Sequence, residues 1–377
     1  MAALVVIAHV LIFLAGIAIV LRVLKSAVQT FVLPRGVRDQ LARFVFVAMR
    51  ALFDIRVRKL QSYADRDGFM ALYAPVTLLA LLLVWLSLMM GGYMLMFWSL
   101  GESWHDALKI SGSSLLTLGF ATGTMLPETF LTFSEAGIGV LLAALLVAYL
   151  PTIYGAWQRR EQGVATLETR AGSPPSAWEM IIRYRRLDRL EAMGAIWPVW
   201  EAWFIDIEES HTSLSALNFF RSPQPDRSWI TAAGVVLDAA ALMSSAVDVP
   251  RDPQRELCIR GGYIALRRIA AFFRIPFDAD PPPDAPISVT RQEFDDVCDL
   301  LAGEGVAMKP GRDEAWQAFS GWRVNYDAVL LGIAALTMAP YAPWVSDRSN
   351  WRLRQFVLGR PLSPSQSAAH PVEARES

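Results

Sequence analysis

Charged residues are scarce in this sequence: Asp, Glu, Lys and Arg make up 19% of the 377 residues, and the mean hydropathy is +0.32. Soluble domains contain about 25% charged residues, so part of this chain is expected to lie in lipid. The formal net charge of −1 gives no electrostatic basis for binding nucleic acid. The length allows two domains.

Cysteine and strand-like patterns are also scarce. Cys258 and Cys298 are the two cysteines, and they do not form the closely spaced pair of a metal site, so we expect reduced, half-buried thiols. No G-x-G-x-x-G follows a predicted strand, which argues against a Rossmann-type nucleotide-binding domain, and no β-roll pattern indicates a cyclic-nucleotide domain. No nucleophile-and-base pair stands out either. We therefore expect neither an enzyme nor a cofactor.

Long apolar runs are present at three places: Ala2 to Leu21, Phe69 to Leu100 and Ala136 to Trp157. Each is close to or above the ~20 residues that a transmembrane helix needs. A cleaved signal peptide is the alternative for the first run, but no Lys or Arg precedes it, so we expect a retained anchor. His9 lies in this run, and we expect it at an interhelical contact because ionisable residues inside membranes usually have a role.

The distribution of charge predicts the topology, because Lys and Arg mark the cytoplasmic side of a membrane. Arg159 and Arg160 follow the third run, and the loop between the second and third runs is acidic apart from Lys109. We expect a multi-pass protein of the cytoplasmic membrane, with the N-terminus outside and the chain after Trp157 in the cytosol. Basic residues between the first two runs are Arg35, Arg38, Arg43, Arg50, Arg56, Arg58, Lys59 and Arg66; the acidic loop residues are Glu102, Asp106, Glu128 and Glu135.

The basic segment also has a helical pattern of apolar residues. We expect an amphipathic helix on the inner leaflet with its cations facing anionic lipid headgroups; the alternative is a helix packed on the soluble part of the protein. Its apolar positions are Leu41, Phe44, Val45, Ala48, Leu52 and Ile55.

The stretch Ser113 to Phe130, SSLLTLGFATGTMLPETF, lies between the second and third apolar runs. The residues before it form a short apolar pattern that predicts a helix, with Ser103 as N-cap and Asp106 in its first turn. The Thr- and Gly-rich part that follows suits neither helix nor sheet. Irregular backbone at membrane depth is tolerated only inside protein or along a watery path, so this pattern is typical of a re-entrant pore loop.

Phe69 to Trp157 thus resembles the pore module of the potassium-channel superfamily, with an outer helix, a pore helix, a filter and an inner helix. Thr117, Leu118, Gly119 and Phe120 correspond to the first four residues of that family's TVGYG filter. The resemblance implies that carbonyls from Thr117 to Ala121 line an ion pathway for K⁺ or other monovalent cations. It also implies a homotetramer, because four such loops must surround one axis.

Two positions depart from the family pattern. Ala121 replaces the second filter glycine, and Thr122 replaces an acidic residue. A left-handed residue with a Cβ costs roughly 1–2 kcal/mol, so we expect the backbone at Ala121 to take another path and the selectivity for K⁺ to be relaxed. On the inner helix, the resemblance assigns a gate to positions that allow bending: Gly137, Gly139, Pro151 and Gly155.

The second half is water-soluble in character, and its helical patterns predict an all-helical cytoplasmic domain that gates the pore. The fold class is therefore an all-α membrane protein with three transmembrane helices, a re-entrant pore helix and filter loop, and this domain. We expect helices over Trp178 to Trp203, broken at Pro198, over Ser228 to Ser245, Pro253 to Phe273, from a capping box at Thr290 to Gly303, and over Asp313 to Met338. The expected domains are residues 1–24 (anchor), 25–67 (basic segment), 68–160 (pore module), 161–348 (cytoplasmic domain) and 349–377 (flexible tail).

Two alternatives remain. The first concerns Asp206, Glu208, Glu209 and His211, in which Glu208 and His211 have the spacing to share a metal on one helix face. Bimetallic helical bundles need this Glu-x-x-His motif twice, and a second copy is missing, so we expect a solvated helix end. The other alternative to a channel is a non-conducting membrane sensor or scaffold built on a degenerate channel fold.

Overall fold

A computed structural model describes residues 2–33 and 39–348, and within these residues the chain is all-helical, with one isolated β-bridge between Val247 and Met308. Three helical stretches of this part are long and apolar enough to cross a membrane. Arg35, Arg38 and the predicted tail 349–377 lie outside the described residues. The helices are α1 (Ala2–Phe31), α2 (Gln40–Val57), α3 (Tyr63–Ala71), α4 (Tyr73–Ser99), α5 (Trp104–Leu115), α6 (Leu126–Ala171), α7 (Ala177–Arg186), α8 (Trp197–Ser213), α9 (Trp229–Ser245), α10 (Pro253–Phe273), α11 (Arg291–Gly303), α12 (Arg312–Arg323) and α13 (Asp327–Thr337).

The first apolar helix, α1, packs mainly on α4. The two helices approach most closely at Gly16 and Gly92: a Cβ on Gly16 would lie 2.5 Å from the Gly92 carbonyl oxygen, and a Cβ on Gly92 would lie 3.0 Å from the Gly16 oxygen. Small residues at such crossings let helix backbones meet in a membrane, where packing replaces the hydrophobic effect as the driving force. The helix continues ten residues beyond the predicted end at Leu21, to Phe31.

The helix α2 begins at a buried polar network. Asp39 caps it by accepting the Ala42 N–H at 2.7 Å, and the same carboxylate accepts from Ser26 Oγ at 2.5 Å and from Arg22 at 2.8 Å. Trp85 of α4 donates its indole N–H to Ser26 Oγ at 3.0 Å. The network therefore ties the last turns of α1 to α4 and fixes where α2 begins.

The amphipathic helix predicted in the basic segment is present, but its faces differ from those expected. Val45, one of the predicted lipid-facing residues, is buried in the protein together with Phe53, whereas Phe44, Leu52 and Ile55 are exposed. One face of α2 thus packs on α4 and the other is open. The position of this helix on the inner leaflet stays a prediction.

The longest helix is α6, with 46 residues and a length of about 70 Å. The third apolar run, Ala136 to Trp157, lies inside this helix, which extends beyond the run at both ends. The helix begins ten residues earlier, where Pro127 stands in its first turn and Glu128 hydrogen-bonds the backbone of the cap. It also continues without a break across the predicted domain boundary at residue 160.

The second half is a helical domain around the buried helix α9. Its predicted helices α9, α10 and α11 have the expected bounds, and the Thr290–Glu293 capping box is formed. Pro198 begins α8 instead of breaking a helix, and the helix expected over Asp313 to Met338 is divided into α12 and α13. Both cysteine thiols are free and fully buried, not half-buried.

Candidate functional site: the segment between α5 and α6

The helix α5 forms as the sequence predicts. Ser103 accepts the Asp106 N–H at 3.1 Å, which satisfies one of the free donors of the first turn, and Asp106 complements the helix dipole there. The helix ends at Leu115, and its C-terminal end lies beside α6. The irregular segment begins directly after it.

Backbone N–H groups of this segment are held by the last turn of α5. Leu118 N–H donates to the Ser113 carbonyl at 2.8 Å, and Ala121 N–H donates to the Ser113 hydroxyl at 3.0 Å. Thr117 N–H reaches the Ser114 carbonyl at 3.0 Å. Within the described chain, none of the carbonyl oxygens from Thr117 to Ala121 accepts a hydrogen bond. The N–H groups of Thr117, Leu118 and Ala121 are therefore bound inside the protein, and the carbonyl acceptors remain available.

The sign of the backbone angle φ alternates along the segment, but only from Thr117 to Phe120. Thr117 has a φ of +55° and Gly119 a φ of +74°, while Leu118, Phe120 and Ala121 do not have positive φ. Gly119 adopts this conformation without a steric cost, whereas Thr117 does so at roughly 1–2 kcal/mol. Strain of this kind is concentrated at functional sites. The alternation stops at Ala121, the position where the resemblance to a potassium-channel filter predicts a second glycine.

Large apolar side chains around the segment are open to solvent in the single chain. Leu118 is 61% and Phe120 67% exposed. On the first turns of α6, Phe130 and Phe133 are exposed to a similar degree. A monomeric protein rarely exposes so many large apolar groups at one end, so this end is suited to contact with lipid or with further protein.

Two acidic residues expected in the outer loop are instead buried in α6. Glu128 accepts the Thr124 and Met125 N–H groups at 2.8 and 3.0 Å, and thereby caps the helix. Glu135 accepts from the Ser111 hydroxyl at 2.5 Å. Both carboxylates are buried, so of the four acidic residues expected in the outer loop only Glu102 and Asp106 precede α6. Ser111, Ser113 and Glu135 are site residues that sequence reasoning missed.

The predicted gate residues of α6 have different environments. An added Cβ on Gly139 would overlap the Leu115 carbonyl oxygen, so this glycine permits close contact between α6 and the end of α5. Gly137 and Gly155 have no such neighbour within 4 Å. Pro151 lies inside the helix, which continues through it. Only Gly139 is therefore required by a contact within the chain.

The acidic cluster of α8 does not form a metal site in the described residues, where no group of three metal-ligating side chains occurs. Asp206 pairs with Arg159, and Glu208 pairs with Arg268. His211 is fully buried rather than solvated, and burial followed by the charge of Arg160 holds its pKa well below the ordinary value. His9, in α1, hydrogen-bonds the Val5 carbonyl of its own helix at 2.8 Å.

A short connector, residues 215–221, contacts both α6 and α3. From α6, Arg160 donates to the Leu217 carbonyl at 3.0 Å and Trp157 donates to the Arg221 carbonyl at 3.0 Å. Arg221 in turn forms an ion pair with Asp67 of α3 at 3.1 Å. The helical domain is thus joined to α6 and to the helix that precedes α4 through the same few residues.

No family model, curated protein or solved structure matches this chain. The fold defines the class: an all-helical protein with three helices able to cross a membrane. Any more particular assignment depends on the geometry described above.

Proposed function

We propose that this chain is one subunit of a homotetrameric pore-loop cation channel of the cytoplasmic membrane, gated by its second, helical half. The observation that carries the proposal is the arrangement of hydrogen bonds after α5. The N–H groups of Thr117, Leu118 and Ala121 are bound by the end of α5, and the carbonyl oxygens from Thr117 to Ala121 stay free. A row of free carbonyls is what replaces the water of a permeating cation.

The charge distribution favours cations over anions. The C-terminal end of α5 carries the negative end of its dipole, and it lies next to the segment. K⁺ and other monovalent cations are the proposed permeant ions. Because the backbone at Ala121 does not continue the alternation, we propose that one coordination site is changed and that Na⁺ is rejected less strictly than in a filter with two glycines.

The proposed number of subunits is four. One chain supplies one row of carbonyls, which cannot enclose a path, and four rows around an axis can. The exposed Leu118, Phe120, Phe130 and Phe133 side chains are proposed to contact the neighbouring subunits or lipid. A conformational change of the helical half would be transmitted to the pore through the connector at residues 215–221 and through α6.

Aromatic residues support the proposed membrane position. Trp98 and Trp104 form an edge-to-face pair, with ring centroids 6.0 Å apart, where α4 ends and α5 begins. Tyr154 and Trp157 form a second pair on α6, next to the basic residues at 159 and 160. Trp and Tyr are enriched at both membrane interfaces, and the basic residues indicate that the second pair is cytoplasmic. The bilayer is thus a proposed partner, with the N-terminus outside.

Ion flux from liposomes containing the purified full chain tests the proposal. Gly119→Ala should abolish flux while the oligomer stays intact, because alanine disfavours a φ of +74°. Gly91→Ala is the matched control: its Cβ would have no neighbour within 4 Å, so flux should remain. A wild-type oligomer that conducts no cation would reject the channel and favour the non-conducting sensor or scaffold. Flux that survives Gly119→Ala would reject the filter.

A further inference from the structure

Glu135 is the buried acid for which the fold offers the least compensation. Its side chain has no exposed surface, and it lies on the part of α6 that is apolar enough to cross a membrane. One carboxylate oxygen accepts from Ser111 at 2.5 Å. The other oxygen is buried and has no hydrogen-bond partner in the described residues.

Keeping such a group costs free energy, since a buried oxygen without a donor has lost its water and gained nothing in exchange. An apolar residue at this position would avoid that cost. Acidic residues inside membrane-spanning segments are for this reason functional candidates by default. The hydrogen-bond partner of Glu135 is Ser111. The partner indicates the role.

Ser111 belongs to α5, the helix that holds the free-carbonyl segment. Two residues further along α5, Ser113 binds the N–H groups of Leu118 and Ala121. One turn further along α6 from Glu135, Gly139 brings the helix against the Leu115 carbonyl. The helix α6 therefore touches α5 at two levels, once through a hydrogen bond and once through close packing.

We propose that Glu135 is a positioning residue: through Ser111 it fixes α5 on α6 and thereby sets the spacing of the carbonyl oxygens from Thr117 to Ala121. The inference rests on the proposed channel function. Ion selectivity depends on how the coordinating carbonyls are held. Loss of the Glu135–Ser111 bond therefore changes which cations pass before it changes whether the subunits assemble.

Reversal potentials of the reconstituted full-length chain in opposing K⁺ and Na⁺ gradients test this. Glu135→Ala and Ser111→Ala should each raise the Na⁺-to-K⁺ permeability ratio by about 2- to 10-fold, the worth of one hydrogen bond. The double variant should be no worse than the stronger single variant, because the two residues act as a unit. Ser111→Thr keeps the hydroxyl and should restore the wild-type ratio.

A nearby bond provides the control. Tyr93 and Ser134 are joined by a hydrogen bond of 2.9 Å between α4 and α6 that does not involve α5, so Ser134→Ala should leave the ratio unchanged. Unchanged ratios in the Glu135 and Ser111 variants, or effects that multiply in the double variant, overturn the inference. If Glu135→Ala fails to assemble, the comparison of Ser111→Ala with Ser111→Thr decides it. A wild-type oligomer without flux overturns the channel itself, and this inference with it.

Discussion

The guanidinium of Arg160 is fully buried and donates to the carbonyl of Phe220 at 2.8 Å. Its other contacts are with the Leu217 carbonyl, with Glu161, and with the ring of His211 at 3.5 Å. A charged group this deeply buried is retained only where all its donors are used. Here it joins α6 to the connector of the helical domain.

Replacing Arg160 should therefore be far more costly than replacing its neighbour. Arg160→Ala leaves the buried Phe220 carbonyl and the Glu161 carboxylate without a donor, and we expect a loss of about 3–5 kcal/mol in the free energy of unfolding. Arg159→Ala removes an exposed pair with Asp206, for which about 1 kcal/mol or less is expected. Unfolding of the detergent-solubilised chain by denaturant measures both. Equal effects would contradict the role of Arg160.

Buried His211 should make stability depend on pH. Burial, and then the Arg160 charge, lower its pKa from 6.5, so the folded protein keeps it neutral while the unfolded chain takes up a proton. Stability is then complete above about pH 6.5 and falls by up to about 1.4 kcal/mol per pH unit below it.

The thermal midpoint at pH 7.5 and pH 5.5 gives the measurement. His211→Gln should lower stability at pH 7.5 but reduce the difference between the two values. His105→Gln, which changes an exposed histidine, should keep the wild-type difference. A difference that is the same in all three proteins would show that His211 is not its source.

Restoring the missing glycine should sharpen selectivity. Ala121→Gly removes the Cβ that disfavours a left-handed backbone, so the alternation that includes Gly119 can extend by one more site. We expect the K⁺-to-Na⁺ permeability ratio to rise severalfold, since 1–2 kcal/mol of strain corresponds to about 5- to 30-fold. Thr122→Gly adds the same flexibility one residue later and should not raise the ratio. A rise in both variants would indicate flexibility alone.

The crossing of α1 and α4 should tolerate no side chain. Gly16→Ala places a methyl group 2.5 Å from the Gly92 carbonyl oxygen and 2.7 Å from Met96, so the helices must separate. We expect a loss of about 1–3 kcal/mol, the usual cost of overpacking. Gly91→Ala, one position from the crossing on α4, should be neutral or stabilising. Thermal unfolding of the three proteins in detergent compares them, and a neutral Gly16→Ala would argue against this packing.

Local signals in the sequence predicted local structure well. Ser103 and Thr290 are N-caps as expected, and α10 has the predicted bounds from Pro253 to Phe273. These features depend on hydrogen bonds between neighbours in the chain, so the sequence contains the whole cause.

Features that depend on distant partners were not predictable in the same way. The sequence places Glu135 in an acidic loop, whereas in the structure it is buried against Ser111 of α5. This contact joins residues twenty-four positions apart, so the neighbours of Glu135 in the chain give no sign of it. The start of α6 was missed although Pro127 and Glu128 are a typical first turn. The break after α12 has a local cause that apolar spacing hides: the Asn325 amide hydrogen-bonds the Gly321 and Trp322 carbonyls and competes with the helix.

The continuity of α6 has a mechanical consequence. Glu135 and Arg160 are 25 residues apart on one unbroken helix, a distance of about 38 Å. Both are buried, and they contact different parts of the protein: Glu135 contacts α5, and Arg160 contacts the connector at residues 215–221. Because the helix is continuous between these two contacts, we expect a rotation of α6 at Arg160 to move the Glu135 side chain and its partner Ser111. In the proposed channel, the helical half would then act on the segment from Thr117 to Ala121 by rotating α6, without the helix having to swing open.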